Sequence, residues 1–315
     1  EVLTIMRIVV TGISSYLART LFPILDADPS IEEIRGLDLK KPGFRSNKLN
    51  FVCCDVRDPD LARHMKGCDT IVHLAYIVMP IRNEALADDI NINGSKNVFR
   101  AAAEAGLRKI VQLSSIAAYG SWPDNPETIK EEQPVRGMPN FYYSRSKAEV
   151  EIFLDGFEKE QPQIVITRFR PSIFVGPTID NAVRDIAGQR IMFALKGFDG
   201  HFQLAWDEDI ARAIHLALKG DFHGAFNLAG EGTINPHIMA NIMGIRVLTV
   251  PYNLAYWMMK VFFPLHLSPL SSGWIECMRY PIIVSSEKAR KVLGWTPSSD
   301  TIGAFNRLLS ALGKP

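Results

Sequence analysis

Through the first half of the chain, short runs of β-branched and apolar residues alternate with longer stretches whose apolar positions recur at helical spacing. Arg7–Thr11, Glu33–Asp38, Leu49–Cys53, Thr70–Leu74, Lys109–Ser114 and Ile164–Arg168 are predicted strands, and most are continuously apolar, as strands covered on both faces must be. Between them Tyr16–Ala27, Asp58–Lys66, Glu84–Ala105 and Phe141–Lys159 are predicted helices; Pro23 should kink or shorten the first. Repeated β-α units of this kind predict an α/β fold around a doubly wound parallel sheet.

After Pro171 the texture changes to segments punctuated by Gly and Pro, then a helix near Asp207–Leu218 and a short strand at Ala225–Ala229. The expected division is a sheet domain over 1–174 that takes back about 202–230, and a smaller C-terminal lobe from 175–201 and 231–315. Leu254–Leu265 is strongly apolar but too short to span a bilayer, and Lys260 interrupts it. It reads as a helix packed on the lobe or, alternatively, as a hydrophobic lid or membrane-touching surface. No repeat or long charge block is visible.

Charge adds little beyond exclusions. With 35 Lys+Arg against 34 Asp+Glu in 315 residues, nothing draws the chain to nucleic acid or an anionic membrane as a whole. The four cysteines, Cys53, Cys54, Cys68 and Cys277, form no C-x-x-C pair, so neither a disulfide framework nor a zinc ribbon is expected, and a reducing cytoplasmic setting is the simpler assumption. No signal-peptide pattern opens the chain, and Met6 reads as the native start.

The first strand runs into Thr11-Gly12-Ile13-Ser14-Ser15-Tyr16-Leu17-Ala18. Such a strand-helix turn holds a dinucleotide pyrophosphate on free backbone N–H groups and the positive end of the helix dipole. Only Gly12 remains of the usual three glycines; Ser15 stands where backbone approaches phosphate and Ala18 where helix packs on strand. Ser15 can cap the helix or donate to a phosphate oxygen. Asp38 ends the second strand at the spacing at which a carboxylate takes a ribose hydroxyl and repels a 2′-phosphate, favouring NAD; Lys40 and Lys41 follow it closely. Asp55, at the end of the third strand with Val56, could meet the adenine amino group or merely cap a turn.

Tyr143 and Lys147 stand four apart in a predicted helix and so share a face. A phenol of pKa about 10 is a poor base, but a nearby ammonium favours the phenolate, which could then take a proton from a substrate alcohol. Ser114 and Ser115 close the fifth strand, at the sheet end where open α/β proteins bind ligands. From Met6 to Pro297 the chain resembles an extended short-chain dehydrogenase/reductase of the NAD-dependent epimerase/dehydratase family. Besides the turn and the Tyr143/Lys147 pair, the matching pieces are His73-Leu74-Ala75, Asn91 with Gly94 and Asn97-Val98, Ser114-Ser115 before Tyr119-Gly120, and Arg170-Pro171 with Gly176-Pro177. Asp209-Ile210-Ala211, Phe226-Asn227, Ser286-Glu287-Lys288-Ala289 and Leu293-Gly294-Trp295-Thr296-Pro297 complete them.

The resemblance implies a Rossmann-type sheet domain, NAD as cofactor, and a catalytic set in which Ser115 bonds the reacting oxygen, Tyr143 is the acid/base and Lys147 holds the nicotinamide ribose. The cofactor is then expected against Gly12, Ser14, Ser15, Tyr16, Leu17, Asp38, Asp55, Val56, Leu74, Ala75, Tyr76, Asn91, Leu113, Ser114, Tyr143, Lys147 and Pro171. His73 reads as a packed core residue, and no metal site is expected. Ile116-Ala117 follow Ser115 where sugar-nucleotide dehydratases of the family carry Asp-Glu, and neither can move a proton, so dehydration is disfavoured. What remains is oxidation of a secondary alcohol, followed by return of the hydride (a nucleotide-sugar 4-epimerase) or by release of ketone (a dehydrogenase of a sugar or lipophilic alcohol); a non-catalytic NAD-binding regulator is a third reading. Phe202 occupies the position of the family's diphosphate-gripping arginine, which leaves Arg170, Arg184, Arg190 or Arg212 to substitute. A homodimer through Glu84–Ala105 and Phe141–Lys159 is expected, because both carry more apolar positions than one buried stripe needs.

Overall fold

The computed structural model describes residues 5–79, 81–178, 182–268 and 270–314. Its elements follow in chain order as β1 (Met6–Thr11), α1 (Tyr16–Ala27), β2 (Ile31–Asp38), β3 (Leu49–Cys53), β4 (Thr70–His73), α2 (Glu84–Asp88), α3 (Gly94–Glu104) and β5 (Lys109–Leu113). Then come α4 (Tyr142–Glu160), β6 (Val165–Pro171), β7 (Ile173–Val175), α5 (Ala182–Ala187), β8 (Ile191–Lys196), β9 (Leu204–Trp206), α6 (Asp207–Lys219) and β10 (Gly224–Leu228). The chain ends with α7 (Pro236–Met243), β11 (Arg246–Pro251), α8 (Tyr252–Phe262), α9 (Ser272–Cys277) and α10 (Thr301–Ala311).

Seven strands form one parallel sheet in the order β10-β6-β5-β4-β1-β2-β3. The continuous apolar runs are explained by burial on both faces. Ile8, Val10, Val72 and Val111 point into a core shared with α1 and α6, while Val9, Ile71 and Ile110 point into a second core closed by α3 and α4. The chain winds outward from β1 through β2 to β3, then crosses back to β4 and winds the other way. The carboxyl ends of β1 and β4 therefore diverge into a crevice, the position at which such sheets bind ligands. A third core joins β7, β8, β9, α7 and α10 through Val175, Met192, Leu204, Trp206, Met239 and Phe305.

Two predicted helices differ from what is found. α1 keeps its predicted length through Pro23, whose ring lies on the exposed face. Asp58–Lys66 forms only a 3₁₀ turn at Leu61–His64. Pro59 and the left-handed Gly67 bracket too few residues for a longer helix, and Arg35 draws the carbonyls of His64 and Lys66 outward. Glu84–Ala105 is broken into α2, a π turn at Asp89–Asn93, and α3. The wide turn swings Asn91 inward, where it is fully buried; π turns commonly mark such functional distortions. The Leu254–Leu265 run is α8, and no residue of it is buried.

Several distant sequence signatures meet in buried polar contacts. On α4, Glu151 accepts both Arg170 Nε (2.9 Å) and Nη2 (2.8 Å), with Arg168 at 3.3 Å. Arg170 also donates to the Tyr119 hydroxyl (2.8 Å), which donates in turn to Asn227 Oδ1 (2.8 Å). The segments Tyr119-Gly120, Arg170-Pro171 and Phe226-Asn227 thus serve one network. Likewise Asp209 holds Ser298 and Arg212, and its carbonyl accepts Trp295 Nε1 at 2.8 Å. Removing one partner of a buried charge pair strands the other. Glu151→Ala should therefore cost about 3–5 kcal/mol, read as a lower denaturant midpoint at unchanged slope.

Candidate active site

The site is built at the seam between β1 and β4. Gly12 has φ +69°, and a Cβ there would lie 2.6 Å from the Ala75 nitrogen, so only glycine lets the turn pass the chain leaving β4. Ser15 caps α1, its hydroxyl accepting from Ala18 N at 3.4 Å. The first-turn N–H groups of Tyr16 and Leu17 have no carbonyl one turn back within the helix. The Leu17 side chain is buried in the sheet core, and the Tyr16 hydroxyl reaches away to Asp207. Asp38 steadies the turn with both oxygens, accepting Ser14 N (2.9 Å) and Lys40 N (3.0 Å); the Ser14 hydroxyl bonds the Lys40 carbonyl.

Behind the turn runs a chain of hydrogen bonds. Ser95 donates to the Asn91 carbonyl (2.6 Å), so it accepts from His73 Nε2 (2.9 Å) and leaves Nδ1 to accept from the Thr11 hydroxyl (2.6 Å). Thr11 Oγ1 in turn accepts Ala75 N at 3.4 Å. Burial, helped by the Lys147 charge, pushes the His73 imidazole down to about 3, so His73 is the neutral core residue its surroundings require.

At the end of β5, Ser115 caps a 3₁₀ turn over Ile116–Tyr119, its hydroxyl accepting Ala117 N at 3.1 Å. Tyr143 lies one residue inside α4 and is partly exposed. Burial pushes its phenol up, and the Ser115 hydroxyl draws it back. Lys147, one turn on, is 2% exposed and donates to the Leu113 carbonyl at 2.8 Å. Its ammonium stands 5.7 Å from the Tyr143 ring and 3.4 Å from the Tyr76 ring centroid. Burial pushes Lys147 down to about 7, opposed by the Glu151 carboxylate another turn along α4. Tyr76 closes the group edge-on to Tyr143 (5.9 Å) and donates to the Ser146 hydroxyl (2.8 Å). Ser114 is buried, with its N–H on the Phe169 carbonyl (2.7 Å), and Pro171 is the buried end of β6.

Other expected residues sit differently. Asn91 is fully buried, and its side-chain amide is bonded to both Ile77 N (2.7 Å) and Ile77 O (3.0 Å); it shapes the loop after β4 and does not face the crevice. Asp55 is bidentate to Arg57 and held low by it, so adenine would have to share that carboxylate. Val56 is buried beneath Asn97, which bonds its carbonyl (2.9 Å). Of the arginines considered for a diphosphate, Arg170 is committed to Glu151 and Arg212 to Asp209. Away from the crevice Cys54, Asp58 and His64 bring possible metal-ligand atoms within 4.8 Å of one another; Arg63 already lies on Asp58 and His64.

Two residues were missed. Glu151 continues the Tyr143/Lys147 stripe at the next helical turn, a signal present in the sequence. Arg279 is caged by Tyr252 (4.5 Å), Tyr280 (5.2 Å) and Phe198 (5.5 Å). Its Nε is buried without a hydrogen-bond partner, and among the described residues no carboxylate forms a salt bridge with it. Its segment closes over the site: Tyr280 N and O both bond Ser121 Oγ (3.0 and 2.8 Å), and Trp274 packs on Phe141 at 5.0 Å.

This arrangement can bind a dinucleotide on the β1–α1 turn and move a proton at Ser115/Tyr143. The description of the NAD dependent epimerase/dehydratase family matches residues 8–229. The chain belongs to that family. An uncharacterized protein of Mycobacterium tuberculosis is 23% identical over 308 residues, covering 95% of this chain and 82% of that protein. The N-acetyl-alpha-D-glucosaminyl-diphospho-ditrans,octacis-undecaprenol 4-epimerase of Escherichia coli O157:H7 is 26% identical over 220 residues, 68% of this chain and 63% of that protein. In fold the chain is similar to MoeE5 in complex with UDP-glucuronic acid and NAD (TM-score 0.77, 16% identity, 98% and 99% of the two chains). It is equally similar to the UDP-glucose 4-epimerase of Thermotoga maritima (TM-score 0.77, 17%, 98% and 99%). Family members are NAD-dependent enzymes, and the sheet is of Rossmann type.

Neutrality of His73 has a measurable consequence. Its folded pKa lies below the ordinary value of 6.5, so its contribution to stability is complete above that value and is lost progressively as pH falls from there toward about 3, the unfolded chain taking the proton first. Imidazole ¹⁵N shifts should show His73 as the Nε2–H tautomer with no titration between about pH 5 and 8.

Proposed function

We propose that this chain is an NAD-dependent, nucleotide-sugar 4-epimerase-like enzyme that oxidises a secondary alcohol through Ser115, Tyr143 and Lys147. The observation that carries the reading is the convergence of these three side chains at one strand end. The turn beside them fits a dinucleotide: Gly12 leaves the space a Cβ would fill, the Tyr16 and Leu17 N–H groups face the pyrophosphate position, and Asp38 stands for the adenosine ribose. Leu74, Ala75 and Tyr76 line the approach, with Leu113, Ser114 and Pro171 behind it. Bound NAD would supply a reversible hydride acceptor for the carbinol carbon.

The protein's part is acid/base work and positioning. Ser115 bonds the reacting oxygen, and Tyr143 takes its proton. Lys147 favours the phenolate; near neutral pH in the empty crevice it is only partly charged, since its pKa is held to about 7. The phenolate, as it forms, favours the charged amine in return, so the two charges support each other. Arg279 supplies the diphosphate grip that Phe202 cannot, its guanidinium pre-oriented by three rings. A second reading, in which the diphosphate carries a lipid, is favoured by the name of the E. coli relative and by the apolar outer face of α8.

Tyr143→Phe should lower turnover by about 10²–10⁴-fold while NAD still binds, measured by calorimetry. With the native protein, a UDP-sugar should interconvert with its 4-epimer with no net rise in nicotinamide absorbance; stoichiometric NADH would make the enzyme a dehydrogenase. Lys147→Met should move the ascending limb of the pH profile to higher pH, because losing a cation raises the phenol pKa. Arg279→Met should raise KM for a sugar diphosphate with little change in kcat. We also infer a homodimer through α3 and α4, on which Ile152 is exposed; sedimentation as a monomer at micromolar concentration would overturn it. The four cysteines are unpaired, which supports a reducing compartment.

A further inference from the structure

We propose that the outer face of α8 is a docking surface for a bilayer containing anionic lipid, on which the helix lies in the plane of the headgroups. α8 is packed on one side, and apart from Asn253 and Lys260 its outer side is apolar. Tyr252, Ala255, Tyr256, Met259 and Phe262 are half-buried, whereas Leu254, Trp257, Met258 and Val261 repeat at i, i+3, i+4 and i+7 as one exposed stripe. Leu265 and Leu267 extend it, at 61% and 68% exposure. An ordinary surface helix carries charge on that side, and singly scattered apolar residues do not make such a stripe.

Charge identifies the occupant. No Asp or Glu occurs between Glu231 and Glu276, while Arg246, Lys260 and His266 do. Lys260 lies along the stripe with its ammonium 4.9 Å from the Trp257 ring, an aliphatic stem on apolar surface with its charge held at the edge. A second copy of this face, paired about a two-fold axis, would set cations against cations with no carboxylate of α8 to meet them. Anionic headgroups supply the missing charge, and acyl chains the apolar partner. At 11 residues α8 is about 16 Å long, about half of a hydrocarbon core, and no described helix is long and apolar enough to cross a membrane; the helix lies on the bilayer.

The surface borders the crevice. At one end Tyr252 stacks on Arg279. At the other, Phe263 meets the Arg82 guanidinium at 5.6 Å, on the loop that exposes Val78 and Met79. The Val78 carbonyl accepts the hydroxyl of Tyr142, the neighbour of Tyr143. Apolar side chains therefore rim the entrance from both sides, and docking there would bring the mouth of the site to the membrane surface whichever alcohol it oxidises.

Flotation of the full chain with vesicles tests this without turnover, so its failure is separate from that of the 4-epimerase reading. The protein should rise with phosphatidylcholine/phosphatidylglycerol vesicles, at least tenfold less with phosphatidylcholine alone, and its tryptophan emission should shift to the blue on binding. The exposed triple substitution Leu254→Ser, Trp257→Ser and Val261→Ser should lose at least tenfold in bound fraction with an unchanged melting curve, and Lys260→Glu should weaken binding in the same direction. Wild-type protein left at the bottom of the gradient with anionic vesicles would overturn the proposal. So would a dimer in sedimentation that the triple substitution splits, since a second copy would then own the face.

Discussion

The crevice depends on how closely β1 and β4 leave the sheet together. At that seam a turn passes a neighbouring backbone at a distance no side chain would permit, and the strands beneath it are tied by the hydrogen bonds of Thr11, His73 and Ser95. Each donor in that series has one acceptor, which fixes the imidazole tautomer and leaves no buried valence free. Because the series ends on the carbonyl of Asn91, whose side chain holds Ile77, the loop carrying Tyr76 inherits its position from the same seam. The turn, the loop and the aromatic wall beside Lys147 are one construction.

On the opposite wall, α4 turns a single face into a graded sequence of environments. Tyr143 is at the crevice, Lys147 a turn deeper, and Glu151 deeper still between two guanidiniums. Burial disfavours the charge on Lys147, and the carboxylate one turn on partly restores it. Arg170 in turn keeps Glu151 ionised. The charge on Lys147, beside the Tyr143 phenol, is therefore set through two helical turns of α4, anchored in β6.

The strands were legible because a residue buried on both sides of a sheet has no polar alternative, and their ends were read to within a few residues. The shared face of Tyr143 and Lys147 on one helix and the place of Ser115 at a strand end were legible as spacings. The break in the 84–105 helix was not, because Asn91 turns inward to satisfy Ile77, a contact that local periodicity does not encode. Asp55 was read toward adenine because its partner Arg57 counts in a sequence only as a neighbour. Arg279 was overlooked for the opposite reason: its cage is assembled from Phe198, Tyr252 and Tyr280, which share no pattern until the lobe folds. The apolar run at 254–265 was visible, but not that only one side of it packs, against α9, β11 and β8.

Tyr16 and Thr20 of the first helix both donate to Asp207, which heads α6, and Gly176 at the end of β7 fits against the same carboxylate. A 1%-exposed anion with donors fixed on a separate helix resists sliding. The start of α6 and the end of β7, where the chain passes toward the lobe, are therefore held together at the beginning of α1.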